Sequence, residues 1–247
     1  MSEQIKVGGM VISSSPIGEN DKRIVLLTKE KGKISAFVRG ARRPGNHLMA
    51  ASDSFAFGSF YLIRGKEAYT MVNADITEYF RELTLDVVKT YSACYFLELA
   101  QYYAVENQGA KDMLNLIYAS FKALLNDKIN DALVRYVFEL KMLVLNGEYP
   151  DFFSCRGCNK KEKLSGFSAF MDGVVCEECK GRMKEVISIN PSTLYTLQYI
   201  VCTPIGKLFS FTVSEEVLSE LRMVMGRSMH MYIDQKMNSL DILEAFT

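Results

Sequence analysis

The chain has 247 residues, of which 49% are hydrophobic and 23% are charged. This composition predicts one large or two modest globular domains and excludes a disordered or coiled-coil protein. The 29 Lys and Arg residues balance 29 Asp and Glu residues, so the surface as a whole is not basic. The first 50 residues nevertheless hold nine basic against four acidic residues, a net charge of +5, and the remainder therefore carries −5. This asymmetry predicts an anionic partner for the N-terminal region.

Targeting and membrane segments are not expected. The stretch from Met1 to Lys22 lacks the apolar run of a secretory signal. The longest uncharged window, Val186 to Gly206, is interrupted by polar residues and two prolines, which disfavours a membrane helix. We therefore expect a soluble, cytoplasmic protein whose six cysteines do not form disulfides.

The first 75 residues have the pattern of a small β-barrel, because short β-branched or aromatic runs alternate with turn residues. The predicted strands are Ile5–Ser13, Arg23–Thr28, Ile34–Arg39, Phe55–Ile63 and Glu67–Val72. Glycine-containing turns are predicted at Lys29–Gly32 and Arg64–Lys66. On these signals alone an OB-like barrel and an SH3-like barrel both fit.

Beyond Arg81 the apolar period becomes that of α-helices. The predicted helices are Leu83–Leu99, Met113–Leu125, Leu133–Leu145, Pro191–Val201, a helix capped by Ser214, and Leu240–Phe246. Gly147 and Pro150 mark the end of the third helix, and Asn190 is predicted to cap the fourth. The layout is a β module followed by a helical body with one insertion.

The insertion contains two Cys-x-x-Cys knuckles separated by 17 residues, namely Cys155, Cys158, Cys176 and Cys179. This spacing is typical of a structural zinc site, and a redox dithiol is the main alternative. Asp172-Gly173 between the knuckles predicts a hairpin that returns the second knuckle to the first. Four thiolates leave no open coordination position, so the zinc is expected to be structural. Cys94 and Cys202 lie in apolar runs and are predicted to be small core residues.

Catalytic signatures are missing from the sequence. Only His47 and His230 could serve a nucleophilic triad, and both are expected to have ordinary surface or packing roles. No phosphate-binding glycine motif occurs. Glu19 and Asp21 could in principle bind a metal for nuclease chemistry, although the neighbouring Lys22 and Arg23 favour a solvated loop. We therefore expect a protein that is not an enzyme.

A basic segment follows the second predicted strand, with Lys29, Lys31, Lys33, Arg39, Arg42 and Arg43 within 15 residues. Nucleic-acid-binding barrels combine such charge with exposed aromatic rings, for which Phe37 and Phe60 are candidates. Phe37 taken alone is expected in the core, because it lies between Ile34 and Val38 in a strand. An ordinary solvated turn is the alternative interpretation of the basic segment.

Several motifs together resemble the bacterial RecO family. They are Gly18–Val25, Leu27–Ile34, Gly40–Pro44, Phe138–Lys141, Leu145–Pro150 and the four cysteines of the insertion. The resemblance covers most of the chain and implies an α+β fold: an N-terminal OB-fold barrel, an α-helical body and an inserted four-cysteine zinc finger. The implied divisions are 1–80 for the barrel, 81–153 for the helical domain, 154–182 for the zinc finger, and 183–247 for C-terminal helices that pack on the helical domain.

The resemblance also implies a function. It indicates a nucleoid-associated recombination mediator that binds single- and double-stranded DNA, anneals complementary strands, and assists recombinase loading with RecR and single-strand-binding protein. The implied DNA-binding residues are Lys29, Lys33, Arg39, Arg42 and Arg43. Arg135 and Lys141 are candidates for the basic rim of a pocket for the tail of single-strand-binding protein. The alternatives are a protein–protein adaptor without direct DNA binding and a metal-dependent nuclease.

Overall fold

The computed structural model describes residues 4–66 and 68–246. They form two compact units, one of residues 4–121 with 237–246 and one of residues 122–236. No helix within the described residues is long and apolar enough to span a membrane.

The first unit opens with a closed five-stranded barrel. Its strands are β1 (Gln4–Ile17), β2 (Asp21–Thr28), β3 (Gly32–Val38), β4 (Phe57–Arg64) and β5 (Tyr69–Glu78). They are hydrogen-bonded in the order β1-β2-β3-β5-β4, and β1 closes the barrel against β4. All pairs are antiparallel except β3 with β5. A closed five-stranded barrel with this crossover is the OB fold, which decides between the two predicted barrels.

The barrel core follows from the alternation of side chains along each strand, since every second residue points inward. The buried residues of this core are Val7, Val11, Ile24, Leu26, Ile34, Ala36, Val38, Ala41, Leu48, Ala56, Phe60, Leu62 and Met71. The β2–β3 turn uses Gly32 at φ 62°, where a Cβ atom would lie 2.1 Å from the carbonyl oxygen of Val105. A side chain therefore cannot replace glycine at this turn.

All five predicted strands are present, but four are longer than predicted, and the first and the last show the largest extensions. The strand predicted as Ile5–Ser13 runs from Gln4 to Ile17 and contains an irregularity between Val11 and Ser13. The strand predicted as Glu67–Val72, of which Glu67 lies outside the described residues, is observed as Tyr69–Glu78. Both extensions lie on alternating, partly polar segments that the β-branched runs did not mark.

Three helices complete the first unit: α1 (Val87–Tyr103), α2 (Lys111–Leu124), which ends three residues past the boundary of the unit, and α7 (Asn238–Glu244). Asp86 caps α1 by accepting a hydrogen bond from the amide of Lys89. The carboxylate of Glu98 on α1 accepts hydrogen bonds from the amide and hydroxyl of Ser239, at 3.1 and 2.8 Å. This contact holds the N-terminus of α7 against α1.

The second unit is built on α3 (Asp131–Asn146), α5 (Pro191–Cys202) and α6 (Glu215–Tyr232), which pack on one another. The predicted caps are confirmed, because the Asn190 side chain accepts from the Thr193 amide and Ser214 accepts from the Val217 amide. Gly147 ends α3 in the left-handed conformation at φ 74°, as its position after the apolar run predicted.

A small antiparallel sheet lies between α3 and α5 in sequence, with β6 (Leu164–Ser168), β7 (Gly173–Cys176), β8 (Ile187–Ser188) and the short helix α4 (Glu177–Lys180). The predicted Asp172-Gly173 turn joins β6 to β7, and both of its residues have positive φ. The hydroxyl of Tyr232 on α6 donates a hydrogen bond to the Asp172 carboxylate, so the hairpin tip is anchored to that helix.

The prediction for the two remaining cysteines is only partly right. Cys94 is half-buried, and burial raises the pKa of its thiol. Cys202 is exposed at the last position of α5, so its assignment to the core is wrong. The apolar run around Cys202 belongs to the opposite face of the helix, where Leu197 and Ile200 are buried.

Candidate nucleic-acid interface and metal centre

A groove of about 380 Å³ lies on the outer face of the barrel, and we call it the barrel groove. Its charged and aromatic lining residues are Arg23, Phe37, Arg64, Lys66, Tyr69 and Glu106. Arg23 on β2 and Phe37 on β3 face each other as a cross-strand pair. The last residue of β4 supplies Arg64, and the connection from β4 to β5 supplies Lys66. Cationic side chains next to an exposed aromatic ring are the combination that single-stranded nucleic acid requires.

The structure reverses the roles expected for the two phenylalanines. Phe37 is 36% exposed, because Ile34, Ala36 and Val38 occupy the inward positions of β3 and Phe37 takes the outward one. Its assignment to the core is therefore wrong. Phe60 is fully buried in the barrel core, so it cannot stack on a base.

The five predicted DNA-binding residues do not form one cluster. Lys29 lies in the turn before β3 and Lys33 lies at the start of that strand, whereas Arg39, Arg42 and Arg43 follow its other end. Lys33 and Arg39 are six residue steps apart, which is about 20 Å of extended chain. Lys33 shares the outward row of β3 with Phe37, and Arg39 follows directly on Val38, the last residue of the strand. The predicted residues thus lie near both ends of β3, and Phe37 of this strand lines the barrel groove.

Two of the predicted cations are held by the protein itself. The ammonium of Lys33 donates to the carbonyl oxygen of Gln101 on α1 at 2.8 Å. The guanidinium of Arg42 donates to the carbonyl oxygens of Gly18 and Glu19 at 3.3 and 3.2 Å. The side chains of Lys29, Arg39 and Arg43 are exposed.

Sequence reasoning missed Arg23, Arg64, Lys66 and Tyr69 as members of the groove. Arg23 carried a usable signal, since it alternates with the buried Ile24 and therefore points outward. Of the other three, Arg64 ends β4, Lys66 lies in the connection and Tyr69 starts β5, and only the parallel pairing of β3 with β5 brings this region beside Phe37. A pairing between strands so far apart in sequence cannot be inferred from local pattern.

The four cysteines of the insertion form one cluster, in which all Sγ atoms lie within 4.8 Å of one another. The Sγ atoms of Cys158 and Cys176 are 3.7 Å apart, close to the edge of about 3.8 Å in a tetrahedron with zinc–sulfur bonds of about 2.3 Å. Gly157 gives the first knuckle its close approach, because a Cβ there would lie 3.1 Å from Cys179 Sγ. The cluster could bind a metal ion.

The pKa values of the thiols in this cluster favour binding of a cation. Burial raises the pKa of Cys155, but hydrogen bonds from the amides of Cys176 and Gly157 outweigh burial and lower it to about 6. Hydrogen bonds with Cys158 and Cys176 raise the pKa of Cys179 to about 12. Cys155 therefore loses its proton readily, whereas deprotonation of further thiols in the cluster is unfavourable. A bound divalent cation would neutralise the negative charge and make that deprotonation favourable. Donor type, number and spacing all fit zinc.

No other group of three or more potential metal ligands occurs among the described residues. The Asp21 carboxylate, a candidate for nuclease chemistry, accepts a hydrogen bond from the Gly40 amide at 2.7 Å and supports that turn. His47, His230 and Glu19 are exposed.

The expected basic rim on α3 is wrong for Lys141, which is only 7% exposed. Its ammonium donates to the carbonyl oxygens of Ile200, Val201 and Thr203 at 2.8 to 3.2 Å and so terminates α5. Arg135 donates from Nε to the buried carboxylate of Glu139 at 2.9 Å. Both cations serve internal contacts of the second unit.

The barrel, the helical body and the four-cysteine cluster together define an α+β protein with an OB-fold domain and an insertion that carries four clustered cysteines. Residues 1–80 match the family model described as Recombination protein O N terminal, and residues 84–241 match Recombination protein O C terminal. The chain belongs to the RecO family of DNA repair proteins.

Curated relatives agree with this assignment over nearly the whole chain, and those we cite are each named DNA repair protein RecO. The protein from Acetivibrio thermocellus is 32% identical over 241 residues, which cover 97% of this chain and 96% of the relative. That from Alkaliphilus metalliredigens is 29% identical over 240 residues, 96% of this chain and 98% of the relative. That from Bacillus subtilis is 28% identical over 219 residues, 89% of this chain and 86% of the relative.

Proposed function

We propose that this RecO-family protein is a non-enzymatic recombination mediator that binds single- and double-stranded DNA and anneals complementary strands. The observation that carries the proposal is the barrel groove, in which Arg23, Arg64 and Lys66 lie beside the exposed ring of Phe37. The cations neutralise phosphates, and the ring offers an apolar face to an unstacked base.

Annealing needs no chemical step in this scheme. Two complementary strands repel each other through their phosphates, and a basic surface lowers that repulsion. Contacts to phosphates carry no sequence information, so base edges stay free to pair. The absence of a phosphate-binding glycine motif from the sequence agrees with a reaction that consumes no nucleotide.

The predicted basic residues extend the groove in our proposal. The exposed cations Arg39 and Arg43 lie in the loop that follows β3, and Lys29 and Lys33 lie at the opposite end of the strand. Arg42 positions the loop, since its guanidinium is held by the β1–β2 turn. Duplex DNA, which has no free bases, would use the phosphate contacts alone.

We further propose that Cys155, Cys158, Cys176 and Cys179 hold one structural zinc ion. Zinc would contribute a cross-link between the two knuckles, one of which precedes β6 while the other begins at the end of β7. The segment 154–182 is then a zinc finger inserted between the helical domain and the C-terminal helices.

The proposed partners beyond DNA are RecR and single-strand-binding protein, with which this family member would assist recombinase loading. These partners rest on the family resemblance alone, and the nucleoid is the location that such a function requires. The alternative is an adaptor that contacts proteins only and leaves the barrel groove unused.

The test measures the anisotropy of labelled oligothymidine of about 16 nucleotides, the upper site size of one OB fold. Arg64→Gln should weaken binding and reduce the steepness of its salt dependence between about 50 and 200 mM salt. Arg222→Gln, which removes an exposed cation on α6, is the matched control. If the wild-type protein does not bind the oligonucleotide at low salt, this result supports the adaptor function instead.

A further inference from the structure

A second groove, of about 700 Å³, lies within the unit of residues 122–236 between α5 and the segment that leads into α6. We call it the tyrosine groove. Its principal lining residues are Pro191, Tyr195, Tyr199, Phe211, Val213 and Val217. None of these residues belongs to the barrel groove or to the cysteine cluster.

The tyrosine groove is nearly free of charge. The 24 residues from Pro191 to Ser214 include a single charged side chain, that of Lys207. Nucleic acid needs several cations to offset its phosphates, so this lining disfavours it. Interfaces with proteins, by contrast, have cores depleted of charge and enriched in tyrosine and phenylalanine.

Three aromatic rings follow one another along the groove. The centroids of Tyr195 and Tyr199 are 6.4 Å apart, and those of Tyr199 and Phe211 are 5.1 Å apart. The Tyr199 hydroxyl is fixed by contacts with the Lys207 carbonyl oxygen and the Ser210 hydroxyl, both at 3.3 Å. Tyr199 is therefore a rigid wall of the groove.

Tyr195 is the accessible member of the row, at 68% exposure. Within the described part of the chain its hydroxyl has no hydrogen-bond partner. An exposed ring with a free donor suits a ligand that presents an apolar face and unpaired carbonyl oxygens.

Two carboxylates lie beside one end of the groove without being part of its lining. Glu215 and Glu216 are exposed and stand in sequence between Ser214 and Val217, which line the groove. Two carboxylates at this end repel an acidic peptide and attract a basic one.

We propose that the tyrosine groove docks a proline-rich segment of a partner protein that carries Lys or Arg beside its prolines. A polyproline II segment has no internal hydrogen bonds, so its carbonyl oxygens can accept from Tyr195. Such segments dock in aromatic-lined grooves and lose little conformational freedom on binding. The basic residue pairs with Glu215 and Glu216.

The test uses the full chain and a fluorescein-labelled peptide with two Pro-x-x-Pro repeats followed by two arginines. Anisotropy is measured for wild type, Tyr195→Ala, the double variant Glu215→Gln with Glu216→Gln, and Phe170→Ala. Phe170 is an exposed ring of the same unit outside the groove and is the matched control, at 84% exposure. Tyr195→Ala should weaken binding by about tenfold or more, the loss usual for an aromatic anchor.

The double glutamine variant should bind the arginine peptide more weakly and lose the salt dependence of binding, and Phe170→Ala should bind as wild type. A peptide with glycine in place of each proline should not bind. The proposal is overturned if the proline peptide fails to bind wild type, or if Tyr195→Ala binds it unchanged. It is also overturned if Tyr195→Ala binds oligothymidine more weakly than wild type does but binds the peptide equally well. The same holds if the only effect of Tyr195→Ala is to dissociate a dimer of the chain.

Discussion

Lys33, at the start of β3, donates from Nζ to the carbonyl oxygen of Gln101 near the end of α1. This hydrogen bond joins the barrel to a helix of the same unit, and the distance between the two atoms is 2.8 Å. A residue that the sequence marks as a phosphate contact is thus also a structural one. Measurements of stability and of DNA affinity on variants of Lys33 and its neighbours can separate the structural role from the DNA-binding role.

Lys33→Met should lower the free energy of unfolding by about 1 kcal/mol, the usual net contribution of a hydrogen bond. Arg39→Gln should leave stability unchanged and weaken DNA binding, because its side chain is exposed. Urea denaturation and oligonucleotide anisotropy on both variants provide the comparison. Equal stability of Lys33→Met and wild type would show that the contact with Gln101 contributes nothing.

Phe37→Ala should weaken binding of single-stranded DNA by about 1 to 3 kcal/mol, since the ring would lose one stacked base. Binding of blunt duplex should change little, because its bases are stacked internally. Competition between the two DNA forms measures the difference in one experiment, with Phe170→Ala as control. An equal loss for both forms would mean that Phe37 supports the barrel surface instead of a base.

Removal of zinc should unfold the insertion and leave the barrel intact. Cys155→Ser removes one of four ligands and should abolish tight binding of one zinc per chain. Elemental analysis measures the metal, and hydrogen exchange should show lost protection confined to about residues 154–182. Metal-free wild-type protein with unchanged protection in that segment would contradict a structural zinc.

The same site should lose its metal in acid, because protons compete with zinc for the thiolate sulfurs. In the metal-free cluster the pKa of Cys155 is lowered to about 6 and that of Cys179 is raised to about 12, so Cys179 takes up a proton at neutral pH once the metal has left. Release of zinc to a colorimetric chelator, followed against pH, measures the transition.

Lys141→Met should destabilise the second unit by about 1 to 3 kcal/mol, since the carbonyl oxygens of Ile200, Val201 and Thr203 would lose their donor in a buried site. The exposed Lys184→Met is the matched control. Burial lowers the pKa of Lys141, so between that value and the ordinary one the unfolded chain binds more protons than the folded chain. The contribution of Lys141 to stability therefore rises with pH across this window.

Local rules predicted much of the structure. The caps Asn190 and Ser214, the end of α3 at Gly147 and the Asp172-Gly173 turn all depend on neighbouring residues, and all were confirmed. The close approach of the two cysteine knuckles could also be predicted from the sequence, because a single hairpin between two short motifs is enough to bring them together.

Side-chain direction and distant pairing were harder to predict. Phe37 and Phe60 differ only in which side of their strand they occupy, and strand register decides this. Lys141 lies in the middle of an apolar helix, where a lysine is usually solvated, and its partners come from a helix about 60 residues away. The positions of charged residues in the sequence do not reveal that the partners of Lys141 are carbonyl oxygens at the end of α5.

The hydrogen bond between Glu98 and Ser239 spans 141 positions of sequence. Its two helices, α1 and α7, belong to one unit, while the residues of the other unit are inserted between them. Closing so long a loop costs conformational entropy that only the finished contact can offset, so docking of α7 should be a late event in folding. The same reasoning predicts that α7 detaches early under denaturant and exposes the surface of α1 before the barrel opens.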